Sequence, residues 1–451
     1  MNRSVIQAAI LSLGLLAAVS CNQSPVFSKI SNETKPIPPL IPGSPTNMVV
    51  VERTYGEPES AVTVPVLFVA SGRLHWYAKE KEKETEDEEV KSKWDLKKYP
   101  IKQPGGKVMS LAVDKNNRLY ALCINGDGVD ATLEYIESNE NEWKTVSFSE
   151  KGYIQSIYVD PETDRLFAGV RETTNYYIYY LEPRNESPEL KPALKEKLEL
   201  EEGLNSILSG AVYRDGIHYL CTTGKGIYQV NEADILTDGS SASAVQLEES
   251  DVIHPANADK KSSPEKNRTF MGMIKLKDTA QTIIAIERTG GALYKVNPGS
   301  FEQIPCGDIN NDKGWIKTDK YATGALALWE DTNNKVLIAG IQGGLTSSST
   351  STSSSSSYTH GYVEFALNDD GSLDTSESRR DVGRMESVDD TDQYTTSLGK
   401  HPINHLFQSP KEINEKMIFF ASTQTAGLWS YKARKDSNDK DKIQWNAEAE
   451  N

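Results

Sequence analysis

The oxygen-donor spacing in this chain that could do chemistry lies between Asp308 and Asp319, in the run Asp-Ile-Asn-Asn-Asp-Lys-Gly-Trp-Ile-Lys-Thr-Asp. Asp308, Asn310 and Asp312 offer side-chain oxygens at alternate positions, and Asp319 falls on the twelfth. Calcium takes about six to eight oxygens, so the spacing suits that ion. The same residues also suit a polar, Asx-rich loop that binds nothing, and both readings stand. No other cofactor is expected. The 6 His are scattered. His401 and His405 are four apart, but no Glu follows His401 as a zinc hydrolase motif requires. His401-Pro402 reads as loop and His405 as strand, so the two do not share a helical face. The sequence shows no nucleophile elbow, phosphate loop or CxxC pair. Catalytic and partner-binding residues therefore stay unassigned.

Cys21, Cys123, Cys221 and Cys306 are the cysteines. Cys123 and Cys221 end matching phrases, LYALC and HYLC, and read as small buried apolar residues. Cys21 closes an apolar run, Val5 to Val19, that follows Arg3 and is too short to span a bilayer comfortably. The ending Leu16-Ala17-Ala18-Val19-Ser20-Cys21 resembles the lipobox of bacterial lipoproteins, with Ala18 where leucine is usual. The resemblance implies a signal peptide over 1–20 and acylation of Cys21, palmitate included. An ordinary secretory signal is the other reading. Residues 21–46 follow as a tether, whose stretch Asn22 to Pro45 holds six prolines and no hydrophobic periodicity. A lipid plus a spacer anchors a protein to a membrane without spanning it.

A net charge of -16 and a pI near 5.0 argue against nucleic acid, whose phosphates need clustered Lys and Arg. The 20 Tyr and 31 Gly suit a β protein better than a helical bundle.

The elements that must position any site come from a repeat. TGGALYKVN at Thr289 to Asn297 recurs as GKGIYQVN at Gly224 and as AGLWSY after Thr425. Each copy ends a unit made of an apolar strand, an Asp/Asn/Gly turn and a second strand ending in small residues. The clearest unit runs Val108 to Val113, turn Asp114 to Asn117, Arg118 to Ile124, Thr132 to Ile136, then Trp143 to Phe148. Groups of four antiparallel strands on this period predict an all-β, seven-bladed β-propeller over 47–448, with six or eight blades admissible and a tail at 449–451. Met48 to Thr54 is expected as the inner strand of the first blade, and Lys442 to Asn446 as the outer strand of the last. The phrases resemble the variable repeats of NHL, regulator-type and quinoprotein-like propellers. Loop 308–319 in turn resembles the calcium loop of EF-hand and dockerin proteins, departing at Lys313 and Asp319.

The long connections, Glu182 to Ala193, Glu248 to Thr269, Cys306 to Thr323, Thr346 to His360 and Asp369 to Pro402, are expected to gather on one end of the ring as a binding face. The reading is a lipid-anchored, extracytoplasmic protein of a bacterial cell envelope. Its propeller acts as a scaffold for a protein or glycan partner. The alternatives are a propeller hydrolase or lyase with an acidic or calcium-assisted central site, and a purely structural envelope protein.

Overall fold

The computed structural model describes residues 41, 43–56, 59–78, 101–126, 131–148, 152–160, 162–181, 194–200, 206–236, 242–250, 267–288, 291–304, 321–330, 335–344, 361–376, 380–383, 394–396, 398, 401–410, 417–437 and 440–448. All belong to the compact unit 39–449. They form an all-β arrangement of small antiparallel sheets with one short helix among the described residues.

The first sheet joins β1 (Asn47–Tyr55), β2 (Val62–Ala70) and β3 (Leu74–Ala78) in sequence order. From sequence, Trp94 to Ile101 reads as a fourth strand of this group; it falls outside the described residues except for Ile101, which is buried and not in a strand. The second sheet joins β4 (Lys107–Val113), β5 (Leu119–Ile124), β6 (Ala131–Ile136) and β7 (Lys144–Thr145). The third joins β8 (Tyr153–Val159), β9 (Leu166–Glu172), β10 (Asn175–Leu181) and β11 (Leu194–Lys197).

β12 (Glu199–Leu200) leaves that sheet and pairs in parallel with the outer strand of the next. The fourth sheet is β13 (Leu208–Arg214), β14 (Ile217–Thr222), β15 (Ile227–Asn231), then helix α1 (Glu232–Leu236) and β16 (Ser243–Gln246). β17 (Glu248–Glu249) crosses in the same way to the fifth sheet, β18 (Phe270–Lys275), β19 (Ile283–Glu287), β20 (Leu293–Asn297) and β21 (Ser300–Gln303).

β22 (Tyr321–Glu330), β23 (Lys335–Gly344), β24 (Tyr362–Ala366) and β25 (Arg380–Gly383) form one half of a nine-stranded sheet. β26 (Tyr394–Thr396) joins it to β27 (Ile403–Gln408), β28 (Phe419–Thr423), β29 (Leu428–Ser437) and β30 (Lys440–Ala447). Met48 to Thr54 thus pairs with β2, and Lys442 to Asn446 pairs with β29, as expected from sequence. The last strand is not an open edge, however, because β26 covers it. The parallel links occupy edge hydrogen bonds that would otherwise invite pairing with other chains.

Second strands are buried along nearly their whole length, as in Leu119–Cys123 and Leu166–Val170. A strand apolar on both faces needs a neighbour on both faces, and the cores supply it. Phe68 and Trp76 of the first sheet share one cluster with Leu111 and Ala121 of the second. Clusters of the same make-up join each later sheet to its successor. One further cluster packs Met48, Leu67 and Val69 of the first sheet on Phe420 and Leu428.

Turns between first and second strands are tight for a chemical reason. The Asp114 carboxylate accepts from Asn116 N–H at 3.0 Å and Arg118 N–H at 2.9 Å, and Asn117 takes the left-handed conformation at φ 60. Asp160 accepts from Glu162 N–H at 2.7 Å, with Asp164 at φ 63. Asp215-Gly216 makes the two-residue hairpin that such a dipeptide favours.

First strands lie side by side and in the same direction. Asn47 at the start of β1 reaches into β4, its Nδ2 donating to Leu111 O at 2.6 Å while Leu111 N–H donates to Asn47 Oδ1 at 2.9 Å, and near the starts of β13 and β18 Ser209 Oγ donates to Phe270 O at 2.7 Å. Near their ends, Lys275 Nζ donates to Tyr213 O at 3.2 Å, and Glu330 N–H donates to Gln408 Oε1 at 2.9 Å. Almost every first strand carries a register shift at the same place, as between Val108 and Ser110, Ile154 and Ser156, Leu208 and Gly210, Phe270 and Gly272, and Ile403 and His405. A bulge leaves one residue free of its own ladder and increases the local twist. These details fit the propeller-like expectation.

Candidate functional site

Cys21 and the loop residues Asp308, Asn310, Asp312 and Asp319 lie outside the described residues, as does Cys306. Cys123 and Cys221 are buried free thiols, and burial pushes each up to about 12, which keeps them inert. His401 sits ahead of β27 and meets Thr425 Oγ1 at 3.1 Å, while His405 lies within β27. Among the described residues no group of three His, Cys, Asp or Glu could hold a metal ion.

One charged cluster joins two sheets and a second ties strands within one sheet. Arg165 stands just ahead of β9 and is fully buried; its guanidinium meets Glu232, the first residue of α1, at 2.7 and 3.2 Å. Glu232 Oε2 also bonds Nε2 of His218, itself fully buried on β14, and Asp160 stands 3.9 Å from the other ring nitrogen. Burial works to raise the Glu232 carboxyl, but the hydrogen bonds from His218 and Arg165 and the Arg165 charge outweigh it and hold the group at about 2. Burial raises Asp160 above the usual carboxylate range. An imidazole between two carboxylates is an acid–base arrangement in form. Here the imidazole and guanidinium are closed to solvent, so the cluster can brace the third sheet on the fourth but cannot meet a substrate. The second cluster is Arg268, which bridges Glu249 of β17 at 3.0 Å and Glu287 of β19 at 3.2 Å, below the Tyr294 ring.

A cavity of about 630 Å³ is the better candidate. It is lined from the first strands β1, β18, β22 and β27 and from the turns that follow them, by Met48, Ile274, Leu326, Leu328, Phe407 and Met417 among others. Lys277 also lines it; its side chain is 70% exposed and pairs with Glu330. Gln408 is engaged by Glu330, and Ser409 Oγ accepts from Ile418 N–H at 3.0 Å. His405 differs. Its Nε2 is enclosed and has no hydrogen-bond partner among the described residues. Burial alone lowers this imidazole to about 4, so it is neutral near pH 7.

Sequence reasoning set His405 aside because it looked for a metal pair. A signal was present in the repeat. The residue after the bulge is Ser110, Ser156, Gly210 or Gly272 in other first strands, and histidine only in β27 among these five.

The expected binding face needs two corrections. β10 and β11 are third and fourth strands of their sheet, so the connection 182–193 leaves at the end of the tight first turns. The first part of the connection Asp369 to Pro402 runs from the third strand β24 to the fourth strand β25, so it leaves at that same end, where a Cβ on Gly371 would stand 3.3 Å from Asp278 N. The segments 251–266, 305–320, 345–360 and 384–393 follow fourth or second strands and leave at the other end. Their own structure lies outside the described residues.

No protein-family model matches the chain, and no curated protein does. Among solved structures, a protein from Lactobacillus plantarum is similar at 11% identity over 88% of this chain and 94% of that one, with a TM-score of 0.41. The computationally designed Ika8 protein is similar at 9% identity over 87% of this chain and 96% of that one, with a TM-score of 0.38. Neither likeness bears on function.

Proposed function

We propose that this chain is a bacterial lipoprotein, acylated at Cys21, whose seven-bladed, closed β-propeller is an extracytoplasmic scaffold for a protein or glycan partner. The observation that carries the reading is the cluster of Met48, Leu67 and Val69 with Phe420 and Leu428, which gives the last sheet the same relation to the first that every other sheet has to its successor. A rigid ring can present long connections from one end as a recognition surface, and loops on a rigid scaffold commonly serve that role. The apolar run ending at Ser20-Cys21 and the Pro-rich tether support the anchor. Among the described residues no helix is long and apolar enough to cross a membrane.

The test is a capture from envelope extracts with the wild-type chain and with a chain in which 251–266 and 345–360 are replaced by short Gly-Ser linkers. A partner held by the first and lost by the second is expected. A partner retained by both would place recognition elsewhere. In the same cells Cys21→Ala should move the protein to the soluble fraction and abolish labelled palmitate incorporation; label retained by the variant would refute the anchor.

A further inference from the structure

We propose that the cavity among β1, β18, β22 and β27 is a binding site for a neutral, mostly apolar small molecule that carries one hydroxyl group, held by the His405 imidazole. The proposal does not rest on the scaffold reading, since the cavity lies at the end of the first strands away from connections 251–266 and 345–360. Its volume of about 630 Å³ lies in the range of small-molecule sites, which are largely apolar with a few placed polar groups. The aliphatic and aromatic lining of Met48, Ile274, Leu326, Leu328, Phe407 and Met417 sets the apolar character.

Charge sets the rest. Lys277 at the mouth is already neutralised by Glu330, so nothing in the lining recruits an anion. The polar side chains of Gln408 and Ser409 are spent on the backbone of neighbouring segments. His405 is left with an unsatisfied nitrogen, and a neutral imidazole accepts a hydrogen bond from an alcohol or phenol. His405 is half-buried and lines the cavity, but its Nε2 is covered as the ring stands; the terminal torsion, broad and roughly two-fold in histidine, would have to turn for that nitrogen to meet a ligand. A buried nitrogen without a partner is costly, so a ligand that supplies the donor gains against an isostere that lacks it.

Three probes test this on the purified full chain by equilibrium dialysis: 1-naphthol, naphthalene and 1-naphthoate. Saturable binding of one 1-naphthol per chain is expected. Naphthalene should bind about tenfold more weakly, the equivalent of about 1.4 kcal/mol, and naphthoate more weakly than naphthol. Leu328→Trp, which fills the cavity, should abolish binding, and His405→Leu should erase the difference between naphthol and naphthalene. Absence of saturable naphthol binding, binding that survives Leu328→Trp, or a naphthol preference that survives His405→Leu would each overturn the proposal. If His405→Leu does not fold by circular dichroism, equal affinities of naphthol and naphthalene for the unaltered chain overturn it.

Discussion

Glu232 and His405 are perturbed for different reasons, and the difference separates their effects in pH. His405 is lowered from 6.5 to about 4 by burial. The unfolded chain therefore binds a proton that the folded chain refuses, and stability present above pH 6.5 is lost as pH falls toward 4. Glu232 is lowered from 4.5 to about 2, with burial opposed and outweighed by His218 and Arg165. Its contribution is complete above pH 4.5 and disappears as pH falls toward 2. Asp160, raised by burial, acts in the opposite sense: it adds stability as pH falls through its raised value to 3.8, above most of the window in which Glu232 is lost. Urea midpoints measured from pH 8 to pH 2 should fall in two stages. His405→Leu should flatten the upper stage and Glu232→Gln the lower. A variant that leaves its stage intact would show that the group is not the one titrating. Arg165→Met at pH 7 should cost about 3–5 kcal/mol, because it strands the Glu232 carboxylate beside a buried imidazole.

At the scale of the element, strands and their antiparallel pairing within a group of four were legible, and the links between groups were not. Val62–Ala70, Leu166–Glu172 and Ile217–Thr222 announce themselves by β-branched and apolar runs bounded by Asp, Asn and Gly. The bulges, the two-residue parallel strands β12 and β17 and the five-residue helix α1 were not legible. Each is shorter than the window over which periodicity can be read, and each is decided by a partner distant in sequence. The same holds for His405, whose role depends on strands far away in the chain. The small residues that end second strands were visible, but only packing explains them. A Cβ on Gly340 would stand 2.7 Å from Ile403 Cγ2 of the following sheet, and one on Gly169 would stand 3.1 Å from Leu208 Cβ. Gly340→Val should therefore cost about 1–3 kcal/mol through overpacking. Ile403→Ala removes the nearest obstructing atom, Cγ2, and leaves Cβ at 2.9 Å, so the overpacking is relieved in part and the double variant should be more stable than the sum of the single losses predicts. Strict additivity in urea denaturation would mean that the two backbones do not approach as closely as the sheets place them.

For the whole molecule the question is whether the ring closes. Ser44 lies just before β1 and Asn404 in β27, yet Asn404 Nδ2 donates to Ser44 Oγ at 2.7 Å. Gly427 N–H donates to Gly43 O at 3.1 Å, and it repeats a relation found inside the chain, where Gly72 after β2 exchanges bonds with Val108 at the start of β4. The contact is thus built as an ordinary junction between consecutive sheets. Were it open, Phe420 and Leu428 on one side and Leu67 and Val69 on the other would lose their burial together. Each such side chain is worth about 1.5–3 kcal/mol when fully buried, so an open ring would expose a patch that few soluble folds tolerate. Ser44→Cys with Asn404→Cys, treated with a short bismaleimide, should give one intramolecular cross-link, identified by peptide mapping. Because the linked positions are 360 residues apart, the cross-link should also stabilise the chain by about 3–5 kcal/mol in urea. Chain-to-chain cross-links with no intramolecular product would mean that the first and last sheets meet only between molecules, and the closed propeller would have to be abandoned.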